Sequence, residues 1–324
     1  MSGILCAVAA LIFALSGSVS GAQAQNADFP TRPVRLVVPF APGGGVDIVA
    51  RLVAPKLSQR WRQPVVVENK AGAVGLLASE YVLQQPADGY SVLIGVAGSH
   101  AIAQYLHHNL TFDPLRDFTG VTVLAYSPLI CLVAPSSPFH TMKELVEYAK
   151  AKTVPFGSPG AGSQPHLIGE MFNLNYGTKF AHVAYRGVAP AMQDLIGGHI
   201  PMVMGETGSA KPFVVSGRLR ALAVTGTARN SSLPNVPTFG EAGYPSFEAN
   251  SWFALFVHAG TPKPIVNKIA ADVTWAVRSP DVETRLVADG WQAGGGTPED
   301  FTKIWIDTSK QLGHVIQERH ITIE

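Results

Sequence analysis

The sequence predicts an α/β protein built from two globular units. Short runs of β-branched residues alternate with amphipathic stretches along the chain, and several of these runs lead into the next stretch through a glycine-rich loop. The length of 324 residues is about twice that of a typical domain of ~150 residues. Strand–helix alternation of this kind implies layered units with mostly parallel sheets and right-handed crossovers.

The predicted strands are short apolar runs that end at turn residues. They lie at 34–38, 65–67, 91–96, 129–133, 154–156, 181–185, 202–204, 220–224 and 252–257. The run at 129–133 contains Cys131, the only cysteine beyond the N-terminal segment described below. We therefore expect a buried thiol and no disulfide, because a chain of this length has enough core to fold without one.

The predicted helices follow these strands, and several carry capping signals. A helix after Gly45 places residues 49, 53 and 57 on one face, and a helix after Pro264 repeats apolar residues at 265, 269, 273 and 277. Thr141 and Thr297 each occupy an N-cap position with acidic residues in the turn that follows. Further helices are predicted at 78–85, at 163–172 and from 190 to the glycine pair at 197 and 198.

Composition and charge exclude several classes of protein. Lys plus Arg number 24 and Asp plus Glu number 23, so the formal net charge is +1, which offers no electrostatic basis for binding nucleic acid. Charged residues make up 15% and hydrophobic residues 47% of the chain. That profile is typical of large buried cores and not of a disordered protein.

The first 24 residues differ from the rest and predict a secretory signal peptide. They contain no charged residue, carry an apolar run at 4–15, and end in an A-x-A pattern at 22–24. A basic residue near the start, which such signals normally have, is absent. The alternative is an uncleaved anchor, but the apolar run is shorter than the ~20 residues needed to span a bilayer. We expect cleavage near Ala24 and an exported, soluble mature chain from Gln25.

Three glycine-rich loops between a strand and a helix carry the candidate binding chemistry. The first, at 39–47, has three consecutive glycines, which let the backbone approach a ligand closely before a helix N-terminus that favours anions. Asp47 follows them, and the alternative interpretation is a structural turn with this residue as a plain helix N-terminal carboxylate.

The second loop, at 156–166, repeats the pattern with Ser163 as the expected N-cap, and its N–H groups and hydroxyls can hold a carboxylate. The third, at 185–190, contains Arg186. An arginine in such a loop is equally typical of a contact to a carboxylate and of a solvated surface residue. Facing loops from the two halves of the chain fit a molecule with a carboxylate at one or both ends.

Signals for catalysis or metal binding are weak. The chain has no G-x-S-x-G elbow and no H-E-x-x-H motif, and Cys131 has no partner that would activate it. An enzyme acting on an organic acid would have to rely on Asp47, His100 or Glu206. We therefore expect a binding protein with no catalytic residue, no metal and no cofactor.

Several motifs spread over the chain resemble one known family. They are FPTRPVRLVVPFAPGG at 29–44, VVVENKAG at 65–72, PADGY at 86–90, YRGVAPA at 185–191, LRALAVT at 219–225 and VPT at 236–238. Together they resemble the Bug family, the extracytoplasmic solute receptors of tripartite tricarboxylate transporters. The resemblance covers essentially the whole mature chain.

This resemblance implies a type 2 periplasmic-binding-protein fold, in which two α/β lobes close on a ligand cleft. The first lobe is expected at 25–126 and 250–324, and the second at 127–249. The implied function is capture of a small organic carboxylate in the periplasm by a monomer, which then delivers it to the membrane subunits of the transporter. Dicarboxylates, tricarboxylates and aromatic carboxylates all remain open as ligands.

The family's ligand-binding positions transfer to this sequence residue by residue. In the first lobe they are Phe40, Ala41, Gly44, Asp47, Gly98 and Ser99; in the second lobe they are Ser158, Ala161, Gly162, Ser163 and Arg186.

Two departures from the family pattern concern the strand near 202–206. Pro201 and Gly205 stand where the family usually has acids, and Glu206 follows one residue later. We therefore include Gly205 and Glu206 among the candidate site residues, and we expect this change to alter which ligand fits. His100, after the small Gly98, is a further possible residue of the cleft. Two alternative functions remain: a receptor that presents its ligand to a sensor protein, and an exported enzyme acting on an organic acid.

Overall fold

A computed structural model describes residues 29–322 except 41, 108, 186, 248 and 249. The predicted signal peptide at 1–24 and two predicted site residues, Ala41 and Arg186, therefore lie outside the described residues. Of the helices that the structure describes, none is both long and apolar enough to cross a bilayer.

The strands of the described residues form two sheets. In chain order they are β1 (Val34–Val38), β2 (Val65–Asn69), β3 (Ser91–Val96), β4 (Phe118–Ser127), β5 (Leu129–Val133), β6 (Val154–Ser158), β7 (Phe180–Ala184), β8 (Met202–Glu206), β9 (Arg220–Val224), β10 (Ser251–His258) and β11 (Gln292–Gly295). The first sheet has six strands in the order β11-β4-β10-β3-β1-β2, and the second has five in the order β7-β6-β8-β5-β9.

Helices cover both sheets and connect their strands. They are α1 (Gly45–Trp61), α2 (Leu76–Leu83), α3 (Ala103–Leu106), α4 (Pro114–Asp117), α5 (Met142–Ala151), α6 (Gln164–Tyr176), α7 (Val188–Ile196), α8 (Thr207–Val215), α9 (Lys263–Val277), α10 (Pro280–Ala288) and α11 (Pro298–Glu318). The two-sheet α/β fold agrees with the class that the sequence predicts.

The expectation of mostly parallel sheets is wrong. Parallel pairing joins β1 to β2 and β3, and β6 to β7 and β8. In the first sheet β10 runs antiparallel to both β3 and β4, and in the second β5 runs antiparallel to both β8 and β9. The antiparallel strands β5 and β10 each begin directly after the chain has crossed from the other sheet, so their direction follows from the crossing and not from a local βαβ unit.

The capping signals form as the sequence predicts. Thr141 and Thr297 both close complete capping boxes, in which the threonine hydroxyl accepts a backbone N–H and an acidic side chain three residues later accepts the N–H of the threonine. The apolar ladder on α9 is buried at each of its four positions, Ile265, Ile269, Val273 and Val277. These elements form because their signals are local, and burial of the apolar face then stabilises them.

The chain passes between the sheets at Pro128 and again between Val224 and Ser251. The carbonyl oxygen of Pro128 accepts hydrogen bonds from both the backbone N and the Oγ1 of Thr207, each at 2.8 Å. Strand β5 then continues into the second sheet with Cys131 fully buried and free. The lobe boundaries near 126 and 250 stay a prediction.

The last helix, α11, contacts both sheet units. Its first half packs on β4, and the indole N–H of Trp305 donates to the carbonyl oxygen of His100 at 2.7 Å. Beyond its C-terminal end, Arg319 forms an ion pair with Glu170 of α6 at 3.1 Å. The core is continuous across the two units, because Phe118 and Trp305 belong to the same buried cluster as Cys131 and Phe172.

Candidate ligand-binding site

The predicted site residues lie at the carboxyl ends of parallel strands, where ligands of α/β sheets bind. In the first sheet, β1 and β3 are parallel neighbours, so the loops after them lie at one edge. In the second sheet, β6 and β8 are also parallel neighbours, with Gly157 opposite Val203. The predicted residues of each unit are therefore brought together at one edge of their sheet.

The two edges face each other. A Cβ atom built on Gly98, after β3, would lie 3.8 Å from the carbonyl oxygen of Gly162, after β6. Trp291 makes a second bridge between the units. Its indole ring would lie 3.2 Å from a Cβ at Gly45, the first residue of α1, and 2.7 Å from a Cβ at Gly208 on α8. The loops of the two units thus approach within van der Waals distance.

The first glycine-rich loop is fixed by Asp47. This buried carboxylate accepts hydrogen bonds from the backbone N of Gly43 at 2.9 Å, from Asn69 at 2.9 Å and from Arg51 at 2.9 Å. Burial would raise the pKa of the Asp47 carboxyl, but these hydrogen bonds outweigh burial and hold that pKa below its usual range. These hydrogen bonds hold the loop to α1 and β2, and a ligand contact of Asp47 stays a prediction.

The backbone of this loop is suited to an anion. Gly43 has φ +86°, a conformation that glycine adopts without strain. Gly44 is the N-cap of α1 and supplies no side-chain hydrogen bond to the first turn, so the N–H groups there have no side-chain cap among the described residues. Phe40 is half-buried beside them, and its carbonyl oxygen accepts a hydrogen bond from Asn69.

The turn after β3 is a short π-helical turn, Gly98–Ile102. Ser99 is buried, and its hydroxyl contacts the carbonyl oxygen of Val96 at 3.3 Å and Nδ1 of His100 at 2.9 Å. His100 itself points away from the cleft, because its ring stacks on Phe256 with centroids 4.0 Å apart inside the core. Burial lowers the pKa of His100 to about 3, so this ring is neutral at physiological pH.

The second glycine-rich loop is held by its two serines. Ser163 is the N-cap of α6; its hydroxyl accepts from the backbone N of His166 and donates to the carbonyl oxygen of Gly160 at 2.7 Å. Ser158 is fully buried, and its hydroxyl lies 3.3 Å from that of Ser163. Gly162 has φ +75°, and Ala161 lies half-buried between it and Gly160. The loop thus turns its backbone toward the first unit.

Glu206 ends β8 and is the N-cap of α8. Burial raises the pKa of Glu206 to about 7, because the charged carboxylate is poorly solvated there. No hydrogen bond or ion pair joins its side chain to another of the described residues. A Cβ at Gly205 would lie 2.8 Å from Val188 Cγ2, so an acid at this position would require the Val188 side chain to move.

Sequence reasoning missed four residues at this site. His166 and His182 lie directly behind the second loop, and each contacts it. Trp291 and Gln164 are buried with a polar atom, Nε1 and Oε1 respectively, that has no hydrogen-bond partner among the described residues. The signal available in the sequence was the position of Gln164 and His166 in the first turn of α6; the positions of His182 and Trp291 depend on packing between distant segments.

A cavity of about 490 Å³ opens beside Trp291 between the two units. It is lined on one side by Ile48 and the end of α10, and on the other by α8 with Lys211. At this cavity the Lys211 ammonium donates to the carbonyl oxygen of Ala288, and elsewhere between the two units Asn230 Nδ2 donates to that of Gly290 at 3.1 Å. In the described part of the chain, no group of three His, Cys, Asp or Glu side chains is arranged to hold a metal ion.

The model of one family, the tripartite tricarboxylate transporter family receptor, matches residues 49–321. The chain belongs to this family. Protein BugT of Bordetella pertussis (strain Tohama I) is 31% identical to it over 317 residues, which cover 97% of each protein. The resemblance seen in the sequence is therefore confirmed.

Solved structures agree with the family and with the two-lobed periplasmic-binding-protein fold. The structure of R. palustris Rpa4515 with adipate has a TM-score of 0.83 and 35% identity, and the match covers 91% of this chain and 100% of that one. MatC (Rpa3494) from Rhodopseudomonas palustris with bound malate has a TM-score of 0.78 and 31% identity, with 89% and 100% covered. The chain is a periplasmic solute-binding receptor of this type; its relatives in the family bind solutes and are not enzymes.

Proposed function

We propose that this receptor captures a small organic carboxylate between its two glycine-rich loops by lobe closure, and delivers it to the membrane subunits of a tripartite tricarboxylate transporter. The observation that carries the proposal is the approach of Gly98 to Gly162, since it brings the turn after β3, whose strand is the parallel neighbour of β1, to the second glycine-rich loop across one gap. Family members with bound adipate and malate support a carboxylate as the ligand class.

The mechanism follows from what each loop offers. The first loop presents the N-terminal end of α1 and the second presents that of α6, and both helix ends favour negative charge. A ligand that contacts both ends binds the closed arrangement better than the open one, so it shifts the population toward closure. The candidate contacts are the backbone of Phe40, Gly44, Gly98, Ala161 and Gly162 and the hydroxyl of Ser163, with Ala41, Ser158 and Arg186 proposed from the family pattern alone.

Binding is favoured over catalysis by the surroundings of Ser158. Its Oγ lies 2.6 Å from Nε2 of His182, a distance also found between a nucleophile and its base. However, Ser158 is fully buried and its oxygen also accepts the N–H of Gly160, which places it inside the loop's own hydrogen-bond network. Among the described residues no carboxylate forms a hydrogen bond to His182 that would orient it as a base.

A thermal-shift screen tests the proposal. The protein is unfolded and refolded to remove carried-over ligand, and then heated with adipate, malate, citrate, benzoate and their amides. An acid at ~100 times its dissociation constant adds about 2.7 kcal/mol, which raises the melting temperature of a domain of this size by several degrees. A rise with an acid and none with its amide supports carboxylate capture. A folded protein that responds to none of the acids contradicts it.

A further inference from the structure

Two imidazole rings stack directly behind the second glycine-rich loop. His166 of α6 and His182 of β7 lie with their ring centroids 3.8 Å apart and their planes 21° from parallel. Each ring makes one hydrogen bond to the loop: Nε2 of His182 lies 2.6 Å from the Ser158 hydroxyl, and Nδ1 of His166 accepts the backbone N–H of Gly162 at 3.1 Å. The two rings therefore hold the loop at both of its ends.

The bond from Gly162 determines the state of the His166 ring. A nitrogen that accepts an N–H cannot itself carry a proton, so neutral His166 must hold its proton on Nε2. A proton on Nδ1 would point at the N–H of Gly162, so the hydrogen bond between them would be lost and the loop would be released. Burial lowers the pKa of His166 to about 4 and that of His182 to about 3, so both rings are neutral at physiological pH.

The other nitrogen of His166 faces an acid that joins the two sheet units. Glu170 lies one helical turn further along α6, and its Oε1 is 3.9 Å from Nε2 of His166. This is beyond hydrogen-bond distance, but the carboxylate charge favours a proton on the nitrogen that faces it. Glu170 is held by Asn173 and by Arg319, each at 3.1 Å. Among the described residues, Glu170 and Arg319 are the charged groups that meet the histidine pair.

We infer that His166 and His182 are positioning residues for the second loop, and that the Arg319–Glu170 ion pair keeps His166 in the tautomer that the loop requires. The inference rests on the proposed function only for its effect on ligand binding. Its structural part concerns a hydrogen bond that exists without ligand. Arg319 follows α11, which packs on the first sheet, so a contact between the two units supports the geometry of a loop on the second.

Nitrogen NMR of the purified protein without ligand tests the structural part. At pH 7 the His166 ring is expected to be neutral with its proton on Nε2, and a scalar coupling is expected between the Gly162 amide nitrogen and His166 Nδ1. Both signals should persist from pH 8 to pH 5. A proton on Nδ1, or a charged ring at pH 7, would overturn the inference whether or not the protein binds any acid.

Two replacements of His166 test the effect on binding. His166→Asn places an amide oxygen near the position of Nδ1 and keeps an acceptor for Gly162, whereas His166→Leu keeps volume and removes the acceptor. With adipate and malate as probes, the leucine variant is expected to bind about tenfold more weakly, because the buried N–H loses its partner. The asparagine variant should stay within about threefold of wild type. Equal affinity of the two variants would overturn the positioning role; if the leucine variant does not fold, the NMR measurement decides.

The ion pair is tested by Arg319→Met. This change removes the ion-pair partner of Glu170. Because Glu170 faces Nε2 of His166, the nitrogen NMR signals of the His166 ring are expected to shift. Arg285→Met is the control, because Arg285 forms an ion pair with Asp289 at 2.6 Å that lies within one unit and away from the loop. Unchanged His166 signals in Arg319→Met, or an equal shift in the control, would overturn the role of the ion pair.

Discussion

Gly98 and Gly162 meet across the gap between the two sheets, with only 3.8 Å between a Cβ position on Gly98 and the carbonyl oxygen of Gly162. One follows a strand of the six-stranded sheet and the other a strand of the five-stranded sheet. A Cβ on Gly98 would also lie 2.9 Å from Val74 Cγ1 on its own unit, so even a methyl group there would require Val74 to move, and a longer side chain would enter the gap to the opposite loop.

Replacing Gly98 tests whether this approach is needed for binding. Gly98→Leu should weaken binding of the acid that gives the largest thermal shift by at least about tenfold, or ~1.4 kcal/mol, because the side chain keeps the loops apart. Gly240→Leu is a control at an exposed turn where a Cβ finds open space beyond 3.6 Å. Calorimetric titration measures both; equal affinities would show that the loops need not meet.

The N-cap of the second loop should matter for binding as well as for stability. Ser163→Ala removes a hydroxyl that caps α6 and holds Gly160. It should lower the free energy of unfolding by about 1 kcal/mol and also weaken binding of the same acid. Thr141→Ala removes an equivalent cap on α5, and it should reduce stability similarly while binding is unchanged. Loss of binding in both variants would mean that the effect is one of general stability.

Glu206 should make ligand affinity depend on pH near neutrality. Its raised pKa of about 7 means that it gains a negative charge as the pH rises through that value. Beside a bound anion this charge is repulsive, so affinity for a dicarboxylate should fall between pH 6 and pH 8. Glu206→Gln should bind with little change over that range, while Glu299→Gln, an exposed control on α11, should keep the wild-type profile. An unchanged slope in Glu206→Gln would place this side chain away from the ligand.

Buried histidines should make the fold sensitive to mild acid. His100, His166 and His182 have folded-state pKa values of about 3, about 4 and about 3, well below the 6.5 of an exposed histidine. Between pH 6.5 and pH 4 the unfolded chain therefore binds protons that the folded chain does not. The free energy of unfolding should fall as the pH falls, by up to about 1.4 kcal/mol per pH unit for each group.

Urea denaturation at a series of pH values measures this slope. Glu206 has the opposite effect: between pH 7 and pH 4.5 it makes the free energy of unfolding rise as the pH falls, because the folded state keeps a proton on this carboxyl that the unfolded state loses. The series is therefore run in a Glu206→Gln background, with His166→Asn added to remove one of the three histidine contributions. A profile that is flat from pH 6.5 to pH 4.5 in the Glu206→Gln background would contradict the neutral state of these rings.

The sequence predicts features that depend on residues close together in the chain, and it misses features that depend on residues far apart. The capping boxes at Thr141 and Thr297 depend on residues three apart, and both form. Strands β4 and β11 and helices α3, α4, α8 and α10 were not predicted. Strand β4 has the β-branched and aromatic residues typical of a strand and was overlooked, while its pairing with β10, more than a hundred residues away, leaves no local signal. Strand direction was also missed for β5 and β10, since direction depends on where the chain crosses between sheets.

The candidate site shows the same division. Motif positions such as Ser163 and Gly162 could be placed from the sequence because the loop is local to one strand and one helix. The contact of His166 with His182 depends on α6 packing against β7, and the position of Trp291 depends on two segments from different units. Asp47 shows a further limit, because its neighbours Asn69 and Arg51 determine that its carboxylate is engaged within the loop.

Cys131 is a free cysteine whose thiol is not available to reagents in the folded receptor. Its thiol is fully buried in the middle of β5, and burial raises the pKa of that thiol far above its usual range, so it is neither exposed nor ionised. Within the part of the chain that the structure describes, a fluorophore or spin label directed at thiols would therefore react only with cysteines introduced on purpose. Pairs of such labels, one on each lobe, can report interlobe distance in the otherwise native chain.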